Sequence, residues 1–307
     1  MKRRIFLKRT AGAGLAAGAA LAIGRPGELL GATTANTKPY DLVAVMGGSP
    51  EAMFDLGIQS LGGIGTFVAK GQKVLIKPNI GWDVTPERAA NTHPGLVGRI
   101  VEHCMRAGAK DVYVFDNTCD DWVKCYRSSG IEKASKDAGA KVVPGNTESY
   151  YQEISLPDAK VLKSAKVHQL LLECDVMINV PVLKHHSSTK ISAAMKNMMG
   201  VVWDRRYWHL NNLHQCIADY AMYGKKPVLN VIDCYNVMLK NGPRGVSVDD
   251  LVQMKAQILS ADWVAADTAA AKMMSLNPEQ IDYIPIAHKM GAGNMNLESL
   301  NIHRIKM

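Results

Sequence analysis

Short apolar runs recur along this chain, and segments with helical spacing separate them. Five runs are rich in valine and isoleucine and show no regular polar alternation: 42–45, 74–76, 112–115, 176–178 and 228–232. Strands that are apolar on both faces are typical of a parallel sheet covered by helices on both sides. The pattern therefore predicts an α/β fold with a largely parallel central sheet and helices on both faces.

The segments between these runs predict the helices of the same fold. We expect helices over 50–61, 95–107, 122–138, 167–173, 189–199, 213–223 and 262–275. Gly108 and Gly139 directly follow two of these segments, where a left-handed residue commonly ends a helix. Residues 144–165 interrupt the alternation and predict a small β insertion. Five residues are expected to be buried in one sheet: Met46, Ile76, Val114, Ile178 and Val231.

The first 35 residues have a different character. A basic start is followed by a weakly apolar run, Ala11 to Ile23, which is shorter than the roughly 20 residues of a spanning helix. Adjacent Arg3 and Arg4, before Phe-Leu-Lys, match twin-arginine (Tat) export signals. We expect residues 1–35 to be a removed signal peptide, although a basic surface helix is the alternative. The mature chain would then be a single α/β domain over 36–307, periplasmic or otherwise extracytoplasmic, without a stable membrane span.

The charge of the chain is concentrated in that segment. The whole chain carries +8, whereas residues 36–307 hold 30 basic and 27 acidic side chains, a net charge of +3. A nucleic-acid-binding function loses its support, because the basic excess belongs mainly to a targeting signal. The expected partners are the Tat export machinery and a small anionic ligand.

The cysteines do not form a metal-binding motif. The six residues, Cys104, Cys119, Cys125, Cys174, Cys216 and Cys234, include no C-x-x-C pair and no ferredoxin-like spacing. The chain therefore contains neither an iron–sulfur cysteine motif nor a zinc-ribbon motif. Cys119 and Cys125 fall in one presumed loop and are close enough in sequence to pair after export.

Polar residues follow the predicted strands. Lys77 and Asn79 come after the second run, Asp116 after the third, Asn179 after the fourth, and Asp233 after the fifth. Ligands of parallel sheets bind beyond the carboxyl ends of the strands. Each residue alone also fits a helix cap or a loop contact. Together they predict one polar site.

The segment from Lys184 to Gly200 is the densest in such residues. Thr189 is a candidate cap for a helix that carries Lys196, and an anion near its N-terminus would be favoured by the helix amides. Lys184, His186 and Lys196 would then surround the ligand. A solvated lysine face explains Lys196 equally well. The aromatic stretch 202–209 fits a lid over the site, a surface for a protein partner, or a loop that packs its tryptophans on the core.

Several motifs resemble one known family. They are Lys77-Pro78-Asn79, Thr92-His93-Pro94, Asp116-Asn117, Asn179 to His186, Met195 to Gly200, His209, Asn241-Gly242-Pro243 with Gly245, and Asp262 with Asp267. With these the chain resembles the domain of unknown function 362 family over nearly all of its length after the signal. Some members of that family carry an added ferredoxin-like domain, which implies a redox association, but this chain lacks its cysteines. His185 stands where members commonly have a small polar residue. The resemblance implies the fold and leaves the reaction open.

Two functions remain open at this point. The first is an enzyme or redox-associated protein that binds an anionic ligand, an anionic cofactor or a metal ion, inserted before export. Its candidate catalytic residues are Asp116, His93 and His186; its candidate ligand-binding residues are Lys77, Asn79, Lys184, Lys196 and Asn197; and its candidate metal ligands are Asp116, His185, His186, His209 and Asp233. The second is a non-catalytic periplasmic binding or carrier protein with the same pocket.

Overall fold

A computed structural model describes residues 39–307 of the protein. The predicted signal peptide, 1–35, lies outside them. The strands are β1 (Leu42–Met46), β2 (Lys73–Pro78), β3 (Asp111–Val114), β4 (Lys141–Val142), β5 (Tyr151–Ser155), β6 (Ser164–His168), β7 (Val176–Val180), β8 (Val182–His186), β9 (Lys190–Ser192), β10 (Leu229–Met238), β11 (Leu251–Ser260) and β12 (Ile302–Lys306). The helices are α1 (Pro50–Ser60), α2 (Pro94–Arg106), α3 (Trp122–Ser128), α4 (Ile131–Asp137), α5 (Gln169–Glu173), α6 (Ala194–Asn197), α7 (Arg205–Leu210), α8 (Leu213–Tyr220), α9 (Trp263–Met273) and α10 (Tyr283–Lys289).

The main sheet of this described part has ten strands. Its order is β12-β1-β11-β10-β7-β2-β3-β4, with β8 paired to β10 and β9 paired to β8. The strands β10, β7, β2, β3 and β4 are parallel neighbours, whereas β11 runs antiparallel to both β1 and β10. The predicted α/β fold with a largely parallel sheet is confirmed.

Helices cover both faces of the sheet, because successive strand residues point to opposite sides. Val74 and Ile76 of β2 pack in the layer that holds α1, α2, α3 and α4. Leu75 between them packs in the other layer, with α5, α8, α9 and α10. Burial of each such aliphatic side chain contributes about 1.5–3 kcal/mol. The apolar runs of the sequence reflect this two-sided burial.

The five predicted strands are all present, as β1, β2, β3, β7 and β10. Ile76, Val114, Ile178 and Val231 are buried as expected. The expectation for Met46 is wrong, since its side chain is 47% exposed at the last position of β1, directly before the turn at Gly47. The predicted β insertion is the separate hairpin of β5 and β6, which extends to His168.

The helix predictions need three corrections. The segment 122–138 is two helices, because Gly130 adopts a left-handed φ of 72° between α3 and α4. The first two residues of 167–173 complete β6, and only Gln169–Glu173 is helical. The third correction concerns 189–199, which is partly extended.

The segment 189–199 forms a hairpin before it forms a helix. Residues Lys190–Ser192 are β9, which pairs antiparallel with β8 so that Lys184 lies opposite Ser192. Thr189 is not a cap, since its hydroxyl donates to the Ile191 carbonyl oxygen at 2.9 Å. The short helix α6 starts at Ala194 instead, where the buried Asp267 carboxylate accepts its first two backbone N–H groups.

Candidate functional site

A cavity of about 630 Å³ lies beyond the carboxyl ends of β2 and β3. The loops after these strands form one side, and the β8–β9 hairpin with α6 and the following turn forms the other. The helix α7 contributes three side chains at the entrance, Arg205, Arg206 and His209. The position agrees with the general rule that ligands of parallel sheets bind at this edge.

A buried ion pair forms the floor of the cavity. Lys77 is fully buried, and its Nζ lies 2.9 Å from Asp116 Oδ1. The same ammonium donates to the Pro78 carbonyl oxygen at 2.5 Å, and the other Asp116 oxygen accepts the Ile80 N–H at 2.7 Å. Burial lowers the pKa of Lys77, and the Asp116 carboxylate opposes that shift. The pair is thus internally neutralised.

Gly200 is required for this floor to close. A Cβ at this position would lie 1.9 Å from Asp116 Oδ1 and 2.7 Å from Lys77 Nζ. Both distances are far inside van der Waals contact, so a side chain would displace the pair. The backbone of Gly200 also accepts the Asn117 N–H at 3.0 Å, which joins the turn after α6 to the loop after β3.

A chain of asparagine side chains links the strand ends beneath the cavity. Asn79 Nδ2 donates to Asn197 Oδ1 at 3.0 Å, and Asn197 Nδ2 donates to Asn179 Oδ1 at 2.8 Å. Asn179 Nδ2 continues the chain to Asn230 Oδ1 at 2.9 Å, its partner residue across β7 and β10. Buried amide networks of this kind fix the positions of their members. Asn79 and Asn197 are therefore held in place before any ligand arrives.

Two further buried lysines face the cavity without a carboxylate partner in the described chain. Lys184 Nζ donates to Asn79 Oδ1 at 3.0 Å and to the Ala90 carbonyl oxygen, and burial lowers its pKa to about 7. Lys196 Nζ has a single hydrogen-bond acceptor there, the sulfur of Met199 at 3.5 Å, and burial lowers its pKa to about 8. Each lysine also lowers the pKa of its neighbours, because like charges repel.

The remaining charged groups of the cavity are cationic or neutral. His186 Nδ1 accepts the Ser188 N–H at 3.1 Å, and burial and the two lysines lower its pKa to about 2, so it is neutral. His209 stacks near it, with ring centroids 6.4 Å apart. Arg205 donates to the Asn117 and Thr118 carbonyl oxygens at 2.6 and 2.7 Å. Among the lining residues Asp116 is the single carboxylate, and Lys77 already neutralises it.

Three candidate residues lie away from this cavity. His93 and Asp233 contact each other, since the Asp233 carboxylate accepts the His93 N–H at 2.8 Å and the Tyr235 N–H at 3.0 Å. His185 points away from Lys184 and His186, as alternate strand residues do, and its Nδ1 accepts the Gly242 N–H at 3.1 Å. Of the candidate residues the cavity is lined by Asn79, Asp116, Lys184, His186, Lys196, Asn197 and His209, and Lys77 lies behind Asp116 as its ion-pair partner.

The described residues contain no cluster of three or more His, Cys, Asp or Glu side chains with the geometry of a metal site. His186 and His209 are the two imidazoles of the cavity, and the nearest carboxylate, Asp116, is bound to Lys77 and Ile80. In the same part of the chain no helix is long and apolar enough to cross a membrane.

Sequence reasoning missed several residues that line the cavity, among them Cys119, Arg205 and Arg206. The aromatic stretch 202–209 was the signal for the two arginines, and Cys119 had none. Trp208 is buried against the core, while α7 presents its arginines to the entrance. The six cysteines are free in the structure; Cys125 is buried and Cys119 is exposed at the cavity.

A family model, described as domain of unknown function (DUF362), matches residues 74–272. The matched range contains every residue assigned above to the cavity. The chain belongs to this family. A curated relative, a thylakoid-associated protein of Synechocystis sp., is 23% identical over 242 residues, which cover 76% of this chain and 73% of that protein.

Two solved structures share part of the architecture of this DUF362 protein. One is the lactate racemase apoprotein from Thermoanaerobacterium thermosaccharolyticum, with 12% identity and a TM-score of 0.49, covering 75% of this chain and 56% of that one. The other is a Thermotoga maritima protein with the same identity and TM-score, covering 74% and 60%. The chain spans less than two thirds of the length of either protein.

Proposed function

We propose that this DUF362 protein is exported and binds a small anionic ligand or anionic cofactor in the cavity beyond β2 and β3, where it acts as an enzyme or redox-associated protein. The observation that carries the proposal is the pair Lys184 and Lys196. Both are buried, both face the cavity, and neither has a carboxylate partner within residues 39–307.

Buried ammonium groups without a counter-ion favour binding of an anion. Lysine is seldom fully buried unless it is paired, because burial removes its hydration. The lowered pKa values of Lys184 and Lys196 are the consequence of that loss. A bound carboxylate or phosphate would supply the missing negative charge and restore the charged form of both lysines.

The chemistry of the wall supports an enzyme more than a carrier. With an anion bound, Lys184 would be charged and could donate a proton to the ligand as a general acid. His186 is a neutral imidazole beside it, and its Nε2 is not used by the Ser188 contact. A carrier would need the charge of Lys184 but not an imidazole with a free ring nitrogen beside it. His93 and Asp233 would then support α2 and β10, since their contacts are with each other and with backbone groups.

The test of this proposal is the content of the exported protein. Native mass spectrometry and elemental analysis of protein purified without added ligand should give a mass above that of the chain, from an acidic small molecule. The Lys184→Met and Lys196→Met variants should lose it, and Lys190→Met should keep it, because Lys190 is exposed in the same hairpin. Recovery of the ligand unchanged after prolonged incubation would favour a carrier. If every variant kept the bound small molecule, the cavity would not be its binding site.

Export has a separate test. Replacement of Arg3 and Arg4 by lysines should leave the protein in the cytosol, because lysine lacks the planar, forked donors of arginine. Cell fractionation measures the result. Undiminished export of the Lys-Lys form would contradict the twin-arginine interpretation.

A further inference from the structure

Cys119 is a thiol at the wall of the cationic cavity. It is exposed, whereas the other five cysteines are buried. Its backbone N–H donates to the Gly81 carbonyl oxygen at 2.8 Å, which fixes the loop after β3 against the loop after β2. The sulfur lies close to Gly81, since a Cβ there would be 3.9 Å away from Sγ.

The surroundings of Cys119 are predominantly cationic. Four cationic side chains line the same cavity as Cys119: Lys184, Lys196, Arg205 and Arg206. The acidic neighbours are occupied elsewhere. Asp116 pairs with Lys77, while Asp120 accepts the Asp83 N–H and lies 3.5 Å from Arg244.

A second observation shows that this thiol faces a binding site. Lys196 is nine-tenths buried, lines the same cavity as Cys119, and has the Met199 sulfur as its single acceptor in the described chain. An anion that satisfies Lys196 would therefore bind in the cavity that Cys119 lines. Cationic clefts raise the local concentration of anions and their encounter rates by about 10- to 1,000-fold.

We infer that Cys119 is the nucleophile of this cavity and that it reacts with small organic anions that carry an electrophilic carbon. The inference rests on the proposed anion-binding function and assigns a residue to it. Reactive cysteines are typically found in electropositive, partly exposed sites, and Cys119 is exposed in a cavity lined by lysines and arginines. The buried cysteines lack access to such a ligand.

Iodoacetate and iodoacetamide are a matched pair of probes, since they differ mainly in the negative charge. With either one, a lone pair of the Cys119 sulfur forms the S–C bond, the C–I bond breaks, and iodide leaves to solvent. No oxidant or further reactant is needed. The lysines would speed the anionic probe alone.

The experiment measures alkylation of Cys119 by peptide mass spectrometry in the intact exported protein. The ratio of the iodoacetate rate to the iodoacetamide rate should be at least about tenfold higher than for an unstructured cysteine peptide. Sulfate should slow the iodoacetate reaction. Lys196→Ala should bring the ratio towards that of the peptide, and Lys190→Ala should leave it unchanged.

The outcomes separate this inference from the proposed function. A ratio equal to that of the peptide, in protein that binds sulfate by calorimetry, would contradict the role of Cys119 and leave the anion site intact. An equal ratio without sulfate binding would overturn both. If the ratio of the iodoacetate rate to the iodoacetamide rate is elevated but Lys196→Ala leaves it unchanged, the reactivity of Cys119 does not depend on this anion site, and the inference is wrong.

Discussion

The buried lysines of the cavity have different partners on its floor, formed by the Lys77–Asp116 pair, and on its wall, which carries Lys184 and Lys196. On the floor, Lys77 lies 2.9 Å from Asp116, and Gly200 covers the pair so closely that no side chain fits there. On the wall, Lys184 and Lys196 are as deeply buried but have amide, carbonyl and thioether partners instead of a carboxylate. The Lys77 ammonium on the floor is neutralised by Asp116, whereas Lys184 and Lys196 on the wall lack a negatively charged partner in the described chain.

The comparison separates structural from functional charge. Loss of one partner from a complete pair leaves an isolated buried ion, which costs stability. Loss of Lys184 or Lys196, which have no carboxylate partner, removes a buried charge and leaves no other charge isolated. We therefore expect a small change in stability and a loss of ligand binding. Substitutions on the floor should therefore lower the free energy of unfolding, whereas substitutions of Lys184 and Lys196 should lower the affinity for the ligand.

The largest effect is expected for Asp116→Asn. The substitution leaves the Lys77 ammonium buried without a counter-ion, which should lower the free energy of unfolding by about 3–5 kcal/mol. Chemical denaturation measures it. The double variant with Lys77→Met should recover part of the loss, because no isolated charge remains. A loss below about 1 kcal/mol for Asp116→Asn would show that the floor is not a stabilising pair.

Lys184→Met and Lys196→Met should act on binding instead. Each removes one charge-assisted contact to an anion, worth about 1.5–3 kcal/mol, so the affinity for sulfate should fall roughly ten- to a hundredfold. Stability should fall by less than for Asp116→Asn, because neither variant leaves an isolated buried charge. Calorimetric titration with sulfate and denaturation of the same samples give both values, with Lys190→Met as the exposed control. Unchanged affinity in both variants would remove the distinction between floor and wall.

Gly200→Ala tests how tightly the floor is closed. The added methyl group would overlap Asp116 Oδ1, and overpacking of this kind costs about 1–3 kcal/mol. Gly224→Ala is the matched control, because a Cβ at Gly224 meets no atom within 4 Å. Equal melting temperatures for the two variants would mean that the pair can move aside without loss.

The pH dependence of stability tests the same two lysines. The pKa of Lys184 is about 7 and that of Lys196 about 8 in the folded protein, against 10.5 for an ordinary lysine. The unfolded chain therefore binds more protons between these values, so the two lysines destabilise the fold fully below about pH 7. Their penalty fades as the pH rises towards 10.5. The double variant Lys184→Met, Lys196→Met should flatten this rise in unfolding free energy, measured without ligand; an equal slope in both proteins would contradict the lowered pKa values.

The parallel part of the fold was predictable from the sequence because two-sided burial leaves a continuous apolar signal. The strands β8, β9 and β12 were not predicted, since they are short. The strand β11 was not predicted because its first half mixes polar and apolar positions and is partly exposed. The helix expected over 189–199 failed because strand pairing of 190–192 with β8 prevails over local helical spacing.

The candidate site likewise has residues that the sequence predicted and residues that it did not. Lys77, Asn79 and Asp116 were predictable, because strand ends in a parallel sheet converge on one edge. Asp233 was misplaced, since β10 continues to Met238 and puts it within the strand rather than at its end. Cys119 and Arg205 come from loops and a short helix, whose positions depend on tertiary contacts such as the Arg205 bonds to the loop after β3.

Proton uptake on anion binding tests the central claim most directly. Sulfate does not titrate near neutral pH, so calorimetry at pH 8 in two buffers of different ionisation enthalpy reports protons taken up by the protein alone. We predict net uptake in the unmodified protein, because the anion restores the charged forms of Lys184 and Lys196, and none in the double methionine variant. Sulfate binding without proton uptake, or no binding at any pH from 6 to 8, would contradict an anion site on these two lysines.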